Sequence, residues 1–388
     1  MSGWAQPPPR RGAAPASVDS GAYLSWGSSL VRRLLIALGL VVIAGLAYRV
    51  FGQSGRPRVL WPVTGRALSP PVAGGRWVGW LEADDDACRL VIAPGGGGEQ
   101  QAIVSGAGLS GLAIEGDDAF ITRAEPGSDR VFGAALVKVA LPSGRTTAIA
   151  SLARGADQII SSGGWLVWRS RRGPALPGVA FVAAAAPVTV IQARRKEGGP
   201  VTIIDVVRGD DGAALTEFDL LGVIEGEVYW VQRDGSGSGL RTRVRRAPCE
   251  GGDAETVMEE PGKRQAALEG DLLVWTAPSL EAGAPDACAS VKQLRIGESN
   301  PRAIADWLGP DARVLLSHGR AYAQDGNGLW RLGARSTDQR RLFSGPSGVT
   351  AVRAVGDREI LAMWHQGGIS IAERPLTWWA RMKAAVKP

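Results

Sequence analysis

The chain is poor in the side chains that most enzymes work with. Its 388 residues include two histidines, His318 and His365, and three cysteines. Histidine is the usual general base and the commonest metal ligand, so two copies in unlike contexts argue against most hydrolytic and metal chemistry. Cys88, Cys249 and Cys288 form no Cys-x-x-Cys and have no metal-ligand spacing. An odd number leaves at least one thiol unpaired in a monomer. Outside the cytoplasm Cys249 and Cys288 are the pair expected to join; three unlinked thiols are the alternative. No cofactor is expected. The net charge of +6 is also thinner than it looks. Residues 1–55 carry Arg10, Arg11, Arg32, Arg33 and Arg49 against Asp19, so most of the excess sits there. The remainder is too balanced to predict a nucleic-acid partner.

Glycine, by contrast, is abundant at 53 residues, and 14 of the few aromatic side chains are tryptophan. The two combine in a recurring phrase: a turn glycine, two or three residues, then an apolar run that ends in an aromatic. The copies are Gly75 to Trp80, Gly116 to Phe120, Gly164 to Trp168, Gly226 to Trp230, Gly270 to Trp275, Gly319 to Tyr322 and, more loosely, Gly356 to Trp364. A period of roughly 45 residues with several strands per unit is the signature of a β-propeller. Each unit continues with a second strand pair, as at Leu136–Val139 and Val244–Pro248. Seven units of four strands predict an all-β, seven-bladed propeller over residues 58–374.

The last unit is one strand short. After Trp364 only Gly368–Glu373 reads as strand, whereas Arg58–Val63 stands before the first unit without a partner. The spacing predicts that this segment supplies the missing outer strand and closes the ring. Pro62 is tolerable there, because an outermost strand needs no outward N–H bond.

Ahead of the propeller, residues 1–29 are rich in Pro, Ala, Gly and Ser and predict a disordered tail. Residues 30–51 contain Leu34–Tyr48, which carries no charge. The expected reading is a single transmembrane signal anchor of about 27 Å, helped by Arg49 snorkelling. A cleaved signal peptide ending near Ala47 and a buried helix are the alternatives. Arginines on both sides leave the positive-inside count undecided. The expected location is the bacterial inner membrane, single-pass, with the propeller outside the cytoplasm. The linker, residues 52–57, spans at most about 20 Å, so one rim of the propeller stays near the lipid.

Local motifs offer little chemistry. Gly106–Gly111 spells G-x-G-x-x-G, but no helix follows, as a dinucleotide site requires. Arg208-Gly209-Asp210 lies in turn composition. Asp84-Asp85-Asp86 and Asp325-Gly326-Asn327 fall short of a calcium loop. Ser317-His318 has no visible acid to orient the base and precedes a turn glycine.

Two basic segments remain. Strand alternation puts Arg241, Arg243 and Arg245 on one face, near Arg169, Arg171, Arg172, Arg194, Arg195 and Lys196. This is a candidate anion or partner surface, unless acids such as Glu197, Asp205, Asp234 and Glu250 neutralise it. The tail, residues 375–388, carries Trp378, Trp379, Arg381 and Lys383 without an acid. It either lies in the membrane interface or packs its tryptophans on the propeller.

At Val228-Tyr229-Trp230-Val231-Gln232-Arg233-Asp234 and Leu273-Val274-Trp275-Thr276 the chain resembles bacterial extracytoplasmic propellers of the TolB and YWTD type. The resemblance spans residues 58–374 and implies a fold but no substrate or catalytic residue. The reading that follows is a membrane-tethered, non-catalytic binding propeller. Its partners are membrane lipid through the anchor and a protein or envelope polymer. The alternatives are a funnel-site enzyme, such as a lyase or glycan hydrolase, and a transmembrane regulator with a ligand-sensing propeller.

Overall fold

The computed structural model describes residues 31, 33–40, 58–63, 65–84, 87–95, 97–125, 133–152, 155–171, 188–208, 217–235, 239–279, 289–326, 328–333, 339–344, 348–355, 358–365 and 368–375. They fall in two compact units, Met1–Ser54 and Gly55–Pro388. In the first, residues 33–40 form an α-helix with Leu34, Leu35, Ile36, Leu38 and Leu40 all exposed. No helix among the described residues is long and apolar enough to cross a membrane. Most of the expected anchor, the tail at 1–29 and Trp378, Trp379, Arg381 and Lys383 lie outside the described residues.

The second unit is built of antiparallel sheets that follow one another along the chain. It opens with β1 (Arg58–Pro62). The first sheet holds β2 (Arg66–Ala67), β3 (Val72–Gly74), β4 (Trp77–Asp84), β5 (Ala87–Pro94) and β6 (Gln101–Gly106). The second holds β7 (Ser110–Glu115), β8 (Asp118–Ala124), β9 (Ala134–Ala140) and β10 (Arg145–Leu152). The third holds β11 (Gln158–Ser162), β12 (Trp165–Arg171), β13 (Val188–Arg195) and β14 (Thr202–Arg208). In the fourth are β15 (Glu217–Ile224), β16 (Glu227–Asp234), β17 (Arg241–Pro248) and β18 (Glu255–Pro261). The fifth comprises β19 (Ala266–Glu269), β20 (Leu272–Pro278), β21 (Ala289–Arg295) and β22 (Arg302–Leu308). The sixth comprises β23 (Arg313–Ser317), β24 (Arg320–Asp325), β25 (Gly328–Arg331) and β26 (Arg340–Ser344). The last joins β27 (Gly348–Val355), β28 (Arg358–His365) and β29 (Gly368–Pro375) to β1, which lies along β29.

The expected closing strand is therefore in place, with Arg58 opposite Glu373 and Pro62 opposite Ser370. The strand it joins runs on to Pro375, past the end expected at Glu373. Trp61 completes the closure. It is 3% exposed, packs with Val78, Trp80, Val91 and Ala93 of the first sheet, and stacks on Trp80 at 6.4 Å. Its indole donates to the Gly98 carbonyl at 2.7 Å. Similar apolar layers lie between each sheet and the next, and the first strands pack side by side from β3 through β7, β11, β15, β19 and β23 to β27.

Because a sheet is covered on both faces, its second strand reads as an unbroken apolar run rather than an alternation. In β16, Val228 and Trp230 face the third sheet while Tyr229 and Val231 face the fifth. The phrase glycine makes the tight turn that starts this strand. Glu225-Gly226 and His318-Gly319 are two-residue loops with positive φ at both positions, 50° and 82° in one and 51° and 65° in the other. Such primed turns match the twist of a hairpin. The first sheet departs from the pattern, because its first strand is split into β2 and β3. Pro70 and Pro71 cannot donate to the ladder, and the Ser69 hydroxyl accepts from the Leu81 N–H at 3.1 Å across the gap.

Antiparallel order gives the ring two unlike ends. First-to-second turns such as Gly116-Asp117 gather at one, called here the turn end. At the other, the loop end, second strands finish and third strands begin, as at Ala124 and Ala134, Arg171 and Val188, and Pro278 and Ala289.

Candidate functional site at the loop end

Second strands finish, and first strands begin, at the loop end. Gln158 pairs with Arg169 and Glu217 with Arg233. Two arginines are thereby placed at the ends of apolar runs that are buried on both sides, and they are 4% and 5% exposed. A buried guanidinium is tolerable only where its donors are taken up by well-placed acceptors. Arg169 makes a fork with Asp157, Nε to Oδ1 and Nη2 to Oδ2, both at 2.8 Å. Its Nη1 donates to Asp219 Oδ1 at 3.0 Å on the next sheet. Asp219 Oδ2 then accepts from Arg233 Nη1 at 2.6 Å. Arg233 also reaches Glu217 at 3.4 Å and the Arg264 carbonyl at 3.1 Å, and Lys263 lies 3.2 Å from Glu217. The result is a ladder of alternating charge that ties the third sheet to the fourth and reaches the segment leading into the fifth.

Burial by itself would raise the Asp219 carboxyl, but the hydrogen bond and charge of Arg233, with those of Arg169, outweigh it and hold the group below the ordinary carboxylate range. Asp219 is thus ionised at neutral pH, the wrong state for a general acid. Asp205 on β14 moves the other way. Burial raises it against the Val206 N–H and the Arg245 guanidinium, which stands 4.0 Å away.

The arginines that the sequence singled out do share one strand, β17, and each meets acceptors there. Arg241 pairs with Glu259 at 2.9 Å, and Arg243 with Glu259 at 2.8 Å and Asp234 at 2.9 Å. Arg245 donates to Gln232 at 3.1 Å and to the Ala254 carbonyl at 3.0 Å, and lies over the Trp230 ring. Of the acids expected to neutralise this region, Asp234 and Asp205 are beside it, and Glu250 pairs with Arg195 at 2.5 Å. Glu259 was not anticipated; it sits across the β17–β18 register.

Ser317 Oγ and His318 Nδ1 are 3.5 Å apart in the β23–β24 turn, at the turn end. His318 has no carboxylate partner among the described residues, so the turn accounts for it. Gly106–Gly111 is the hinge between β6 and β7 rather than a strand-to-helix turn. Cys249 carries a free, buried thiol, pushed up to about 12 by burial and the charge of Glu250; Cys88 is also free, and Cys288 lies outside the described residues. Among the described residues no group of three or more His, Cys, Asp or Glu is placed to hold a metal.

The ladder escaped sequence reading because its members are far apart in the chain. One signal was available: a charge inside an apolar strand, directly after the phrase aromatic at Trp168-Arg169 and three residues after it at Trp230 and Arg233.

No family model and no curated protein matches the chain. Solved structures do. The β-propeller domain of the Trilobed protease from Pyrococcus furiosus is 11% identical, with 82% of this chain and 97% of that one aligned at a TM-score of 0.54. The fold is a β-propeller. An oligogalacturonate lyase in complex with manganese aligns over 83% of this chain and 91% of its own, at 10% identity and a TM-score of 0.55. The acylaminoacyl peptidase of Pyrococcus horikoshii aligns over 82% of this chain at 14% identity and a TM-score of 0.55. The propeller chain spans about half the length of that peptidase, 54%. The Pyrococcus furiosus domain is described as having an open velcro topology, whereas β1 here closes on β29.

Proposed function

We propose that the chain is a membrane-tethered, seven-bladed propeller of the TolB or YWTD type that binds a protein or cell-envelope component at its loop end without transforming it. The observation that carries this reading is the contrast between the two ends. The longest stretches of chain between consecutive strands of one sheet, from β8 to β9, β12 to β13 and β20 to β21, all run between strand ends at the loop end, and binding residues concentrate on the connecting segments of a rigid scaffold. At that end the ionic ladder fixes the scaffold between the third and fourth sheets. The tether is supported by the exposed apolar helix at 33–40 and by the uncharged run that follows it to Tyr48. In this reading the chain sits in the bacterial inner membrane with the propeller outside the cytoplasm. Trp378, Trp379, Arg381 and Lys383 lie in the interface. Arg241, Arg243 and Arg245 serve as a neutralised wall of the partner surface.

The test is photo-crosslinking in intact cells, with the crosslinker at Ser279 on the loop end or at Asp253 on the turn end. One envelope component captured from position 279 and not from position 253 is the expected result. Equal capture from both positions, or capture from 253 alone, refutes the assignment of the partner surface.

A second reading, catalysis at the loop end, is favoured by the alignment with oligogalacturonate lyase over 91% of that chain. Incubation of the purified protein with acidic oligosaccharides tests it. Chain cleavage that disappears in Asp219→Asn would replace the binding reading with this one.

A further inference from the structure

At the turn end most basic side chains are matched by an acid. Arg76 pairs with Asp117 at 3.1 Å, Lys138 with Asp118 at 3.1 Å, Arg246 with Glu255 at 2.8 Å and Arg295 with Asp271 at 2.7 Å. The cleft between the fifth and sixth sheets breaks this pattern. It encloses about 340 Å³ over an apolar floor that includes Ile304 and Leu332. Its walls carry Arg302 at the start of β22, Arg320 at the start of β24 and Arg331 at the end of β25, beside the paired Arg295. Arg302 and Arg320 are exposed and Arg331 is half-buried. None of the three has an acid partner among the described residues. Glu298 is the single carboxylate in the lining.

The same end of the ring receives the chain. Arg58 enters opposite Glu373, and β29 leaves at Pro375 opposite Arg358, next to the β27–β28 turn. Residues 52–57 span at most about 20 Å between the uncharged segment and Arg58. Were the uncharged segment held in a membrane, as the tether reading has it, a linker of that reach would keep the end at which Arg58 enters within reach of the headgroups.

We propose that the cleft binds the phosphate of an anionic lipid headgroup and so seats the turn end on the bilayer. The proposal rests on the membrane-tether reading above. Guanidinium groups fit phosphate oxygens in pairs, and three without internal acids leave a positive field that a phosphate completes. Loss of each is expected to weaken attraction to an anionic bilayer about fivefold. Orientation follows as well, because the loop end then faces away from the lipid and stays open to a partner.

The experiment compares full-length protein in nanodiscs of phosphatidylcholine and of phosphatidylcholine with phosphatidylglycerol, read by amide hydrogen exchange. Exchange at residues 298–302 and 317–321 should slow at least threefold in the anionic discs. The effect should vanish in the triple variant Arg302→Glu, Arg320→Glu, Arg331→Glu and shrink in the milder triple change to Gln, which keeps the result interpretable if the reversal unfolds. Arg313→Glu, exposed at the start of β23 and at the opposite end of the ring, should leave it unchanged. Equal exchange in the two lipids overturns the proposal. So does protection produced by inorganic phosphate in neutral discs with no further effect of the anionic lipid, which would make a free anion the ligand. An alkaline wash of native membranes scores the tether separately. If the full chain is released, the tether reading falls, and the same exchange comparison on vesicles of the two compositions still decides the cleft.

Discussion

Asp219→Ala removes the one carboxylate that two buried arginines share. Arg169 would keep its fork to Asp157, and Arg233 would keep Glu217 at 3.4 Å and the Arg264 carbonyl. Breaking a fully buried pair typically costs about 3–5 kcal/mol. Asp219 is 38% exposed, so solvent screening reduces its share, and the arginines' remaining partners reduce it further. The expected loss is about 2 kcal/mol in urea denaturation at pH 7. A double-mutant cycle with Arg233→Met should show coupling of about 1–2 kcal/mol. The pH dependence follows from the depressed folded-state value of Asp219. A depressed carboxyl contributes stability that is complete above its unfolded value, about 3.9, and fades as pH falls through the lower folded value. The gap between wild type and Asp219→Ala should therefore be level from neutral pH down to about 5 and close below about 4. A gap under about 0.5 kcal/mol at pH 7, or an equal gap at strongly acid pH, would refute the ladder as a source of stability.

Other changes probe closure, packing and thiol burial. Deleting Arg58–Pro62 exposes the edge of β29 and uncovers Trp80, so light scattering should reveal aggregation; a monodisperse product with unchanged melting would remove β1 from the closure. Trp61→Ala keeps the strand but empties its layer, and should cost about 3–5 kcal/mol by chemical denaturation. At Gly74 an added Cβ would collide with the Ile114 carbonyl oxygen of the second sheet, so Gly74→Ala should cost roughly 2 kcal/mol or more, because backbone must shift. With its thiol raised to about 12, Cys249 should resist alkylation at pH 8 until denaturant is added, while half-buried Cys88 reacts first; equal labelling of the two by mass spectrometry would contradict the burial.

What could be read from the sequence, and what could not, divides along one physical line. Turn glycines and two-sided apolar runs are local, so the β architecture, the strand phrase at Trp230 and even the closing strand at Arg58 were accessible. The closing strand was inferred from a missing neighbour at the other end of the chain rather than from any feature of its own. The split of the first strand at Pro70-Pro71 was not anticipated, and that β2 and β3 both lie along β4 depends on Ser69 bridging the gap. Charge was harder. Reading Arg241, Arg243 and Arg245 along one strand shows three cations, whereas Glu259 joins Asp234 in neutralising two of them only once the β17–β18 register is known. Arg169, Asp219 and Arg233 come from two sheets, and the unpaired arginines of the turn-end cleft from two others. Their meaning depends on which acid stands across a sheet boundary, and no local pattern encodes that.

The pairing of Arg58 with Glu373 also bears on the order in which the molecule can be made. Six of the sheets can assemble from neighbouring segments as they emerge, since their strands are consecutive in the chain. The last sheet cannot. Its outer strand is synthesised first and waits for its partner until the whole ring has been translated. Lengthening the closed loop from about 40 to about 320 residues adds only about 2 kcal/mol of chain entropy, so the wait is chiefly kinetic. Until β29 arrives, the first sheet presents Trp80 uncovered beside an unpaired strand. A ribosome that stalled near the end of the message would leave nearly all of a propeller, with its opening held apart by a missing last strand.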